Sequence, residues 1–325
     1  MNYIDMHCDT LMKAFLKGKK NIHKMSKCAV DLERLRLGGC KAQFFAIFML
    51  PVTIQAKLGF LMPSDEKYIE KLCGILQNTV SAYPEQIALA RNLSELSQNA
   101  ASGKLSAFLT LEDGRAVNGK LENLERFYEK GIRLITLTWN HPNCFGSPAS
   151  ADPVVMAQGL TDFGKDAVAK MNELGMIVDV SHLSDSGFWD VKEVSGKPFV
   201  ASHSNCRALS PHPRNLTDEM IRALADSGGV AGLNFMPDFL NADMSKQKVC
   251  TELIARHARH MANQGGIDCV AIGTDFDGFS GEVEISSPAE MQRLFHALEK
   301  EGFHESQIEK IAYQNVERVL GDTLK

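Results

Sequence analysis

Among its eight cysteines (8, 28, 40, 73, 144, 206, 250 and 269) the sequence has no C-x-x-C pair. Most of these thiols sit among apolar residues, which excludes a disulfide scaffold and reads as reduced, buried cysteine in a cytosolic protein. No run approaches 18 apolar residues, so no membrane-spanning helix is expected. No block of five like charges occurs, and 35 basic against 40 acidic residues give a net charge of −5. A nucleic-acid footprint and a basic membrane patch are thereby excluded. The first apolar run is followed by no glycine-rich phosphate turn, which argues against a dinucleotide fold. What remains is ordinary for a globular protein: 44% hydrophobic and 23% charged residues in a chain of 325. That length is compatible with one α/β barrel domain spanning residues 1–325.

Eight short apolar runs can be read as strands: the opening run at Tyr3, then 42–48, 105–111, 133–138, 176–180, 198–203, 230–235 and 269–274. Stretches with helical spacing separate most of them, among them 66–82, a Thr161-capped segment to Leu174, and a Thr217-capped segment stopped by Gly228-Gly229. Two closing helices are expected over 288–301 and 305–320, and the lysine-rich stretch 10–27 takes no clear assignment. The alternation predicts an α/β fold, an eight-stranded parallel (β/α)8 TIM-like barrel.

The polar residues that interrupt this pattern fall at strand ends. His7 and Asp9 end the first strand, where period-2 alternation would put both on one side and Cys8 on the other. Glu112 ends the third, His182 the fifth, His203 the sixth, Asn234 the seventh and Asp275 the eighth. In a barrel these ends converge on the rim that carries chemistry. Three imidazoles with two carboxylates suit zinc, and less selectively manganese, cobalt or iron. Five ligands exceed one tetrahedral zinc and suit two Zn2+ ions sharing a carboxylate: His7 and Asp9 on one, His182 and His203 on the other, Glu112 bridging. Such a pair would hold a hydroxide at neutral pH, which points to hydrolysis of an amide or ester carbonyl. Asp275 is placed to act as general base and then acid, with Asp277, two residues on, the weaker candidate. The remaining histidines, His212 among them, read as surface or structural, and His257 with His260 lacks a zincin-type glutamate.

With these residues assembled, the chain resembles the membrane (renal-type) dipeptidases, zinc peptidases of the amidohydrolase-like barrel group. The resemblance runs from Asp5 to about Gly278 and rests on Asp5-Met6-His7-Cys8-Asp9, Glu112-Asp113-Gly114, Asp179-Val180-Ser181-His182, the span from Ser202-His203 to Arg214-Asn215, and Gly273-Thr274-Asp275-Phe276-Asp277-Gly278. It implies a binuclear zinc barrel that hydrolyses dipeptides, commonly as a homodimer. It also implies the same ligand set, His7, Asp9, Glu112, His182 and His203, and an arginine, Arg214, that clamps the substrate's terminal carboxylate. One departure matters. Where the family often has a histidine after Thr-Leu-Thr, Thr136-Leu137-Thr138 is followed by Trp139, and the nearest imidazole is His141. His141 is then the expected carbonyl-polarising group, with Asn234 a further substrate contact.

The expectation is therefore a cytoplasmic zinc dipeptidase with two Zn2+ per chain and a small dipeptide substrate. The first strand begins within a few residues of Met1, and no apolar tail ends the sequence, which underlies the cytoplasmic expectation. The alternatives are a metal-dependent amidohydrolase acting on a cyclic amide or N-acyl amino acid, and a catalytically silent metal- or ligand-binding protein.

Overall fold

The computed structural model describes residues 1–57, 62–243 and 245–325. Eight strands form the expected parallel barrel: β1 (Tyr3–Cys8), β2 (Cys40–Phe48), β3 (Leu105–Glu112), β4 (Ile132–Thr136), β5 (Ile177–Asp179), β6 (Val200–Ala201), β7 (Val230–Leu233) and β8 (Val270–Ile272). Each pairs in parallel with the next, from β1 round to β8. A short strand not anticipated from the sequence, Ile87–Leu89, pairs outside the ring on β3. The ring closes through polar contacts rather than a regular ladder. Cys8 bridges to Phe276, and the buried Asp5 carboxylate accepts hydrogen bonds from the Thr274 amide (2.9 Å) and the Thr274 hydroxyl (2.7 Å).

One apolar cluster draws on every strand: Ile4 and Met6, Ala42 and Phe44, Phe108, Leu134, Ile177, Val200, Val230 and Ala271. Because all eight strands contribute, this cluster fills the barrel interior. Val316, Val319 and Leu320 of the final helix join it and close the end where the strands begin. The opposite end is left for polar residues. The 305–320 stretch departs from one regular helix, since a π-helical turn at Lys310–Gln314 separates Glu305–Glu309 from Asn315–Thr323. At its junction the Asn315 amide donates to the carbonyls of Ile267 and Val270, 2.8 Å each, tying the plug to β8.

Helix boundaries follow capping chemistry. The Thr161 hydroxyl accepts from the Gly164 amide, and Gly175 ends that helix at φ 80°. Thr217 caps Asp218–Asp226 in the same way. The lysine-rich stretch begins as a helix, α1 (Thr10–Leu16), whose Thr10, Leu11, Met12 and Ala14 are buried.

His257, in the helix Thr251–Gly265, is buried and used on both sides. Its Nδ1 accepts from the Cys206 amide (3.2 Å), and its Nε2 donates to the Leu240 carbonyl (3.0 Å). Only the neutral ring can do both, and burial first of all pushes the imidazole down to about 4. The folded state thus resists a proton that the unfolded chain accepts below its ordinary value of 6.5. Stability is full above pH 6.5 and falls as the pH drops towards 4. The loss from this residue over that window is about 3 kcal/mol. Chemical denaturation across the window should show a shallower pH slope for His257→Gln than for the unsubstituted chain; parallel slopes would contradict this account.

Candidate active site

The ends of β1, β3, β5, β6 and β8 bring six buried side chains together: His7, Asp9, Glu112, His182, His203 and Asp275. Glu112 lies at the centre. Its Oε2 is 3.4 Å from His7 Nε2, while its Oε1 is 3.1 Å from His182 Nε2 and 3.6 Å from His203 Nε2. On the His7 side, Asp9 Oδ2 is 3.5 Å and Asp275 Oδ1 3.8 Å from His7 Nε2. Asp9 arrives by a route that alternation does not describe. Strand β1 stops at Cys8, and Asp9 is the residue from which α1 starts.

The backbone is bent sharply where the site needs it. His182 and Asp275 have φ of 69° and 62°, a left-handed conformation that costs a non-glycine residue energy and clusters at functional positions. Hydrogen bonds to the His182 carbonyl from the Ala149 amide (2.7 Å) and Thr138 hydroxyl (3.1 Å) hold that bend. Gly278 closes over the acids. A Cβ there would lie 2.2 Å from Asp275 Oδ1 and 2.3 Å from Asp9 Oδ2, so no other residue fits without displacing a carboxylate.

The proton positions follow from the surrounding hydrogen bonds. The Asp179 carboxylate accepts from the Ser202 hydroxyl at 2.5 Å, so Ser202 Oγ must accept from His203 Nδ1 at 2.7 Å. His182 Nδ1 lies 3.1 Å from Asn140 Oδ1, an acceptor. Both rings therefore carry their proton on Nδ1 and present bare Nε2 lone pairs. These lone pairs face each other at 3.1 Å and both face Glu112 Oε1. Burial pushes both imidazoles well down, so protonation does not relieve the clash of lone pairs. His7 Nε2 and Asp9 Oδ1 are also buried without a hydrogen-bond partner among the described residues; burial pulls the His7 imidazole down, but the Glu112 and Asp9 charges outweigh it and hold that ring well above its ordinary value. Burial raises Glu112 to about 7 and Asp275 to about 8, with the Asp9 charge adding to both. Lone pairs that converge without a proton, beside crowded buried acids, are what a divalent cation satisfies. The donors present fit such a group on either side of Glu112.

Above the cluster lies a cavity of about 650 Å³. Asp9, Glu112, His182 and Asp275 form part of its lining, beside an apolar wall that includes Met12, Leu16, Phe48 and Trp139. Arg214 also lines it. The guanidinium is buried, its Nε has no hydrogen-bond partner, and it makes no ion pair within 4.0 Å among the described residues. Burial pulls it down to about 10, against the attraction of Asp275 and Glu112, so it stays charged at neutral pH.

Three sequence expectations fare differently. His141 is not among the residues lining the cavity: β4 ends at Thr136, the chain bends, and His141 is exposed, its ring set edge-on to the outer side of the wall residue Trp139 with centroids 6.2 Å apart. Asn234 is buried and engaged within the protein rather than facing substrate. Its Nδ2 donates to Asp275 Oδ2 (3.0 Å) and its Oδ1 accepts from the Met236 amide (2.7 Å). Asp277 turns away from the cluster, accepting from Ala29 N (2.7 Å) and Thr10 Oγ1 (2.8 Å), and so fastens a loop. Conversely, His212 and Asn140 reach the cavity wall although neither was singled out in the sequence. His212 lies on a Pro-flanked loop with no periodicity to reveal it, its Nδ1 accepting from the Arg214 amide at 3.1 Å.

A parallel barrel with imidazoles and carboxylates gathered at the ends of its strands defines a metallohydrolase type of site. The chain belongs to the membrane dipeptidase family, peptidase family M19, whose model matches residues 1–325. It is thus a member of a family of peptide-bond hydrolases. It is 36% identical over 254 residues to an uncharacterised protein in the pqqA 5′ region of Klebsiella pneumoniae, covering 76% of this chain and 92% of that one. The crystal structure of a metallopeptidase, dipeptidase AC, matches with a TM-score of 0.88 at 28% identity, covering 100% of this chain and 99% of that one. A metallopeptidase from Rhodobacter sphaeroides, solved with a phosphinate mimic of the dipeptide L-Ala-D-Ala, matches with a TM-score of 0.87 at 27% identity over 99% of each chain. No helix among the described residues is long and apolar enough to cross a membrane.

Proposed function

We propose that this chain is a zinc-dependent dipeptidase that hydrolyses the peptide bond of free dipeptides. His7 and Asp9 would hold one Zn2+, His182 and His203 the second, with Glu112 shared. The observation that carries this reading is the division of Glu112, one oxygen towards His7 and the other towards His182 and His203. Bound there, divalent cations supply Lewis-acid polarisation of a carbonyl and lower the pKa of bound water. The protein's own groups do the rest. Arg214 binds the C-terminal carboxylate of the substrate and sets its length. Asp275 takes a proton from the attacking water and delivers it to the nitrogen as the C–N bond breaks, leaving a free amine and a new carboxylate. The dipeptide mimic bound to the Rhodobacter sphaeroides relative supports this substrate class.

Elemental analysis of protein purified without chelator is expected to find two equivalents of zinc. Dipeptide hydrolysis should be lost on chelation and restored by re-addition. Absence of both metal and turnover after reconstitution would overturn the reading.

Arg214 gives a sharper expectation. Truncating a buried, charge-assisted contact costs a few kcal/mol. Arg214→Met should therefore lower kcat/KM on free dipeptides by about a hundredfold or more. On the matching C-terminal amides the change should stay within a few-fold, because these substrates offer no carboxylate. Equal losses on both series, measured side by side, would remove Arg214 from this role.

The eight unpaired thiols support a reducing, cytoplasmic setting, and the family resemblance supports a homodimer; both belong to the proposal.

A further inference from the structure

The expected carbonyl-polarising imidazole, His141, stands outside the cavity, while its neighbour Asn140 stands on the wall. Asn140 Oδ1 is the acceptor for His182 Nδ1 at 3.1 Å. With a cation held at His182 Nε2, as proposed above, the ring's one proton is on Nδ1, and the amide turns its oxygen towards it. The Nδ2 group is thereby aimed away from His182. Its two N–H donors have no partner among the described residues, and the side chain is exposed. Other donors line the cavity: Lys13, Trp139, Ser150, His212 and Arg214. Of all these, Asn140 alone among the described residues is hydrogen-bonded to an imidazole of the cluster.

We propose that Asn140 donates a hydrogen bond from Nδ2 to the carbonyl oxygen of the scissile bond as negative charge develops on it. This rests on the dipeptidase reading above. A neutral donor, oriented in advance because its oxygen is already anchored, stabilises the tetrahedral oxyanion more than the ground-state carbonyl. Arg214, buried and without an ion pair, is left free for the substrate's carboxylate.

Two variants separate catalysis from mere orientation of His182. Asn140→Asp keeps the acceptor for His182 and removes the donor; Asn140→Ala removes both without adding charge. The probes are a phosphinate isostere of alanyl-alanine, a tetrahedral mimic, and a competing chelator that reads zinc affinity. At saturating zinc both variants should lose about a hundredfold in kcat, with KM within threefold and phosphinate affinity falling by the same factor as kcat. Zinc affinity should hold in Asn140→Asp and fall about tenfold in Asn140→Ala. Phosphinate affinity and kcat within threefold of the unsubstituted protein in Asn140→Ala at saturating zinc would overturn the proposal. So would zinc loss in Asn140→Asp that accounts for its lost turnover. If the unsubstituted protein binds the phosphinate yet cleaves no dipeptide, the dipeptidase reading fails and the phosphinate comparison still decides Asn140. If it does not bind the phosphinate, both fail.

Discussion

Glu112→Gln is expected to reduce bound zinc from two ions to at most one and to lower dipeptide turnover at least about a thousandfold, since the cations supply several kcal/mol of stabilisation. The substitution preserves shape but halves the function of the side chain. A carboxylate can offer an oxygen to each side, towards His7 and towards His182 and His203, whereas a carboxamide offers one oxygen and an N–H donor that repels a cation. The same change should have the opposite effect on the metal-free fold. Burial raises the Glu112 acid to about 7, so near neutral pH the empty cluster carries a poorly solvated charge beside Asp9 and Asp275. A neutral amide removes that charge. Thermal unfolding should therefore show Glu112→Gln no less stable than the unsubstituted protein in chelator. The rise in Tm on adding zinc should be much reduced, because stabilisation by a ligand scales with its affinity for the folded state. Two retained zinc ions with an unaltered zinc-dependent Tm would rule out a bridging role.

The cluster was legible in the sequence because a parallel barrel imposes a rule: an apolar run, then a polar residue at its C-terminal end. Glu112 and His182 obey it directly, one as the last residue of β3 and the other three residues past β5. His203 was legible for the same reason although β6 is only two residues long. Where the chain leaves regular structure the rule stops. His141 is the carbonyl-polarising group expected from the sequence, but the strand ends at Thr136 and a bend, not alternation, decides which side chain enters the cavity. Asn234 shows the converse: it directly follows β7, yet its amide is spent on Asp275 and a backbone turn. Its role is to hold the acid. α1 takes no clear assignment from the sequence because Leu11, Met12 and Ala14 are buried around more than one face, erasing the amphipathic period that marks a surface helix.

Asp275→Asn should lower kcat by about a hundredfold to ten-thousandfold while leaving two zinc ions bound and KM little changed. The backbone argument favours this substitution over alanine. Asp275 has φ of 62°, and asparagine tolerates the left-handed region nearly as well as aspartate, so the strand end should keep its course. Asparagine can also present an oxygen to Asn234 Nδ2, which now donates to Asp275 Oδ2 at 3.0 Å. What it cannot do is carry a proton. In the metal-free protein burial lifts the Asp275 acid to about 8, and the Asp9 and Glu112 charges work in the same direction against the pull of His7. A group so easily protonated, 3.8 Å from His7 Nε2 and open to the cavity, is suited to receive a proton from water and pass it on. Zinc content separates this from a ligand role. A fall in zinc that tracks the fall in rate would make Asp275 a metal ligand, and turnover within tenfold of the unsubstituted protein would mean that another group moves the proton.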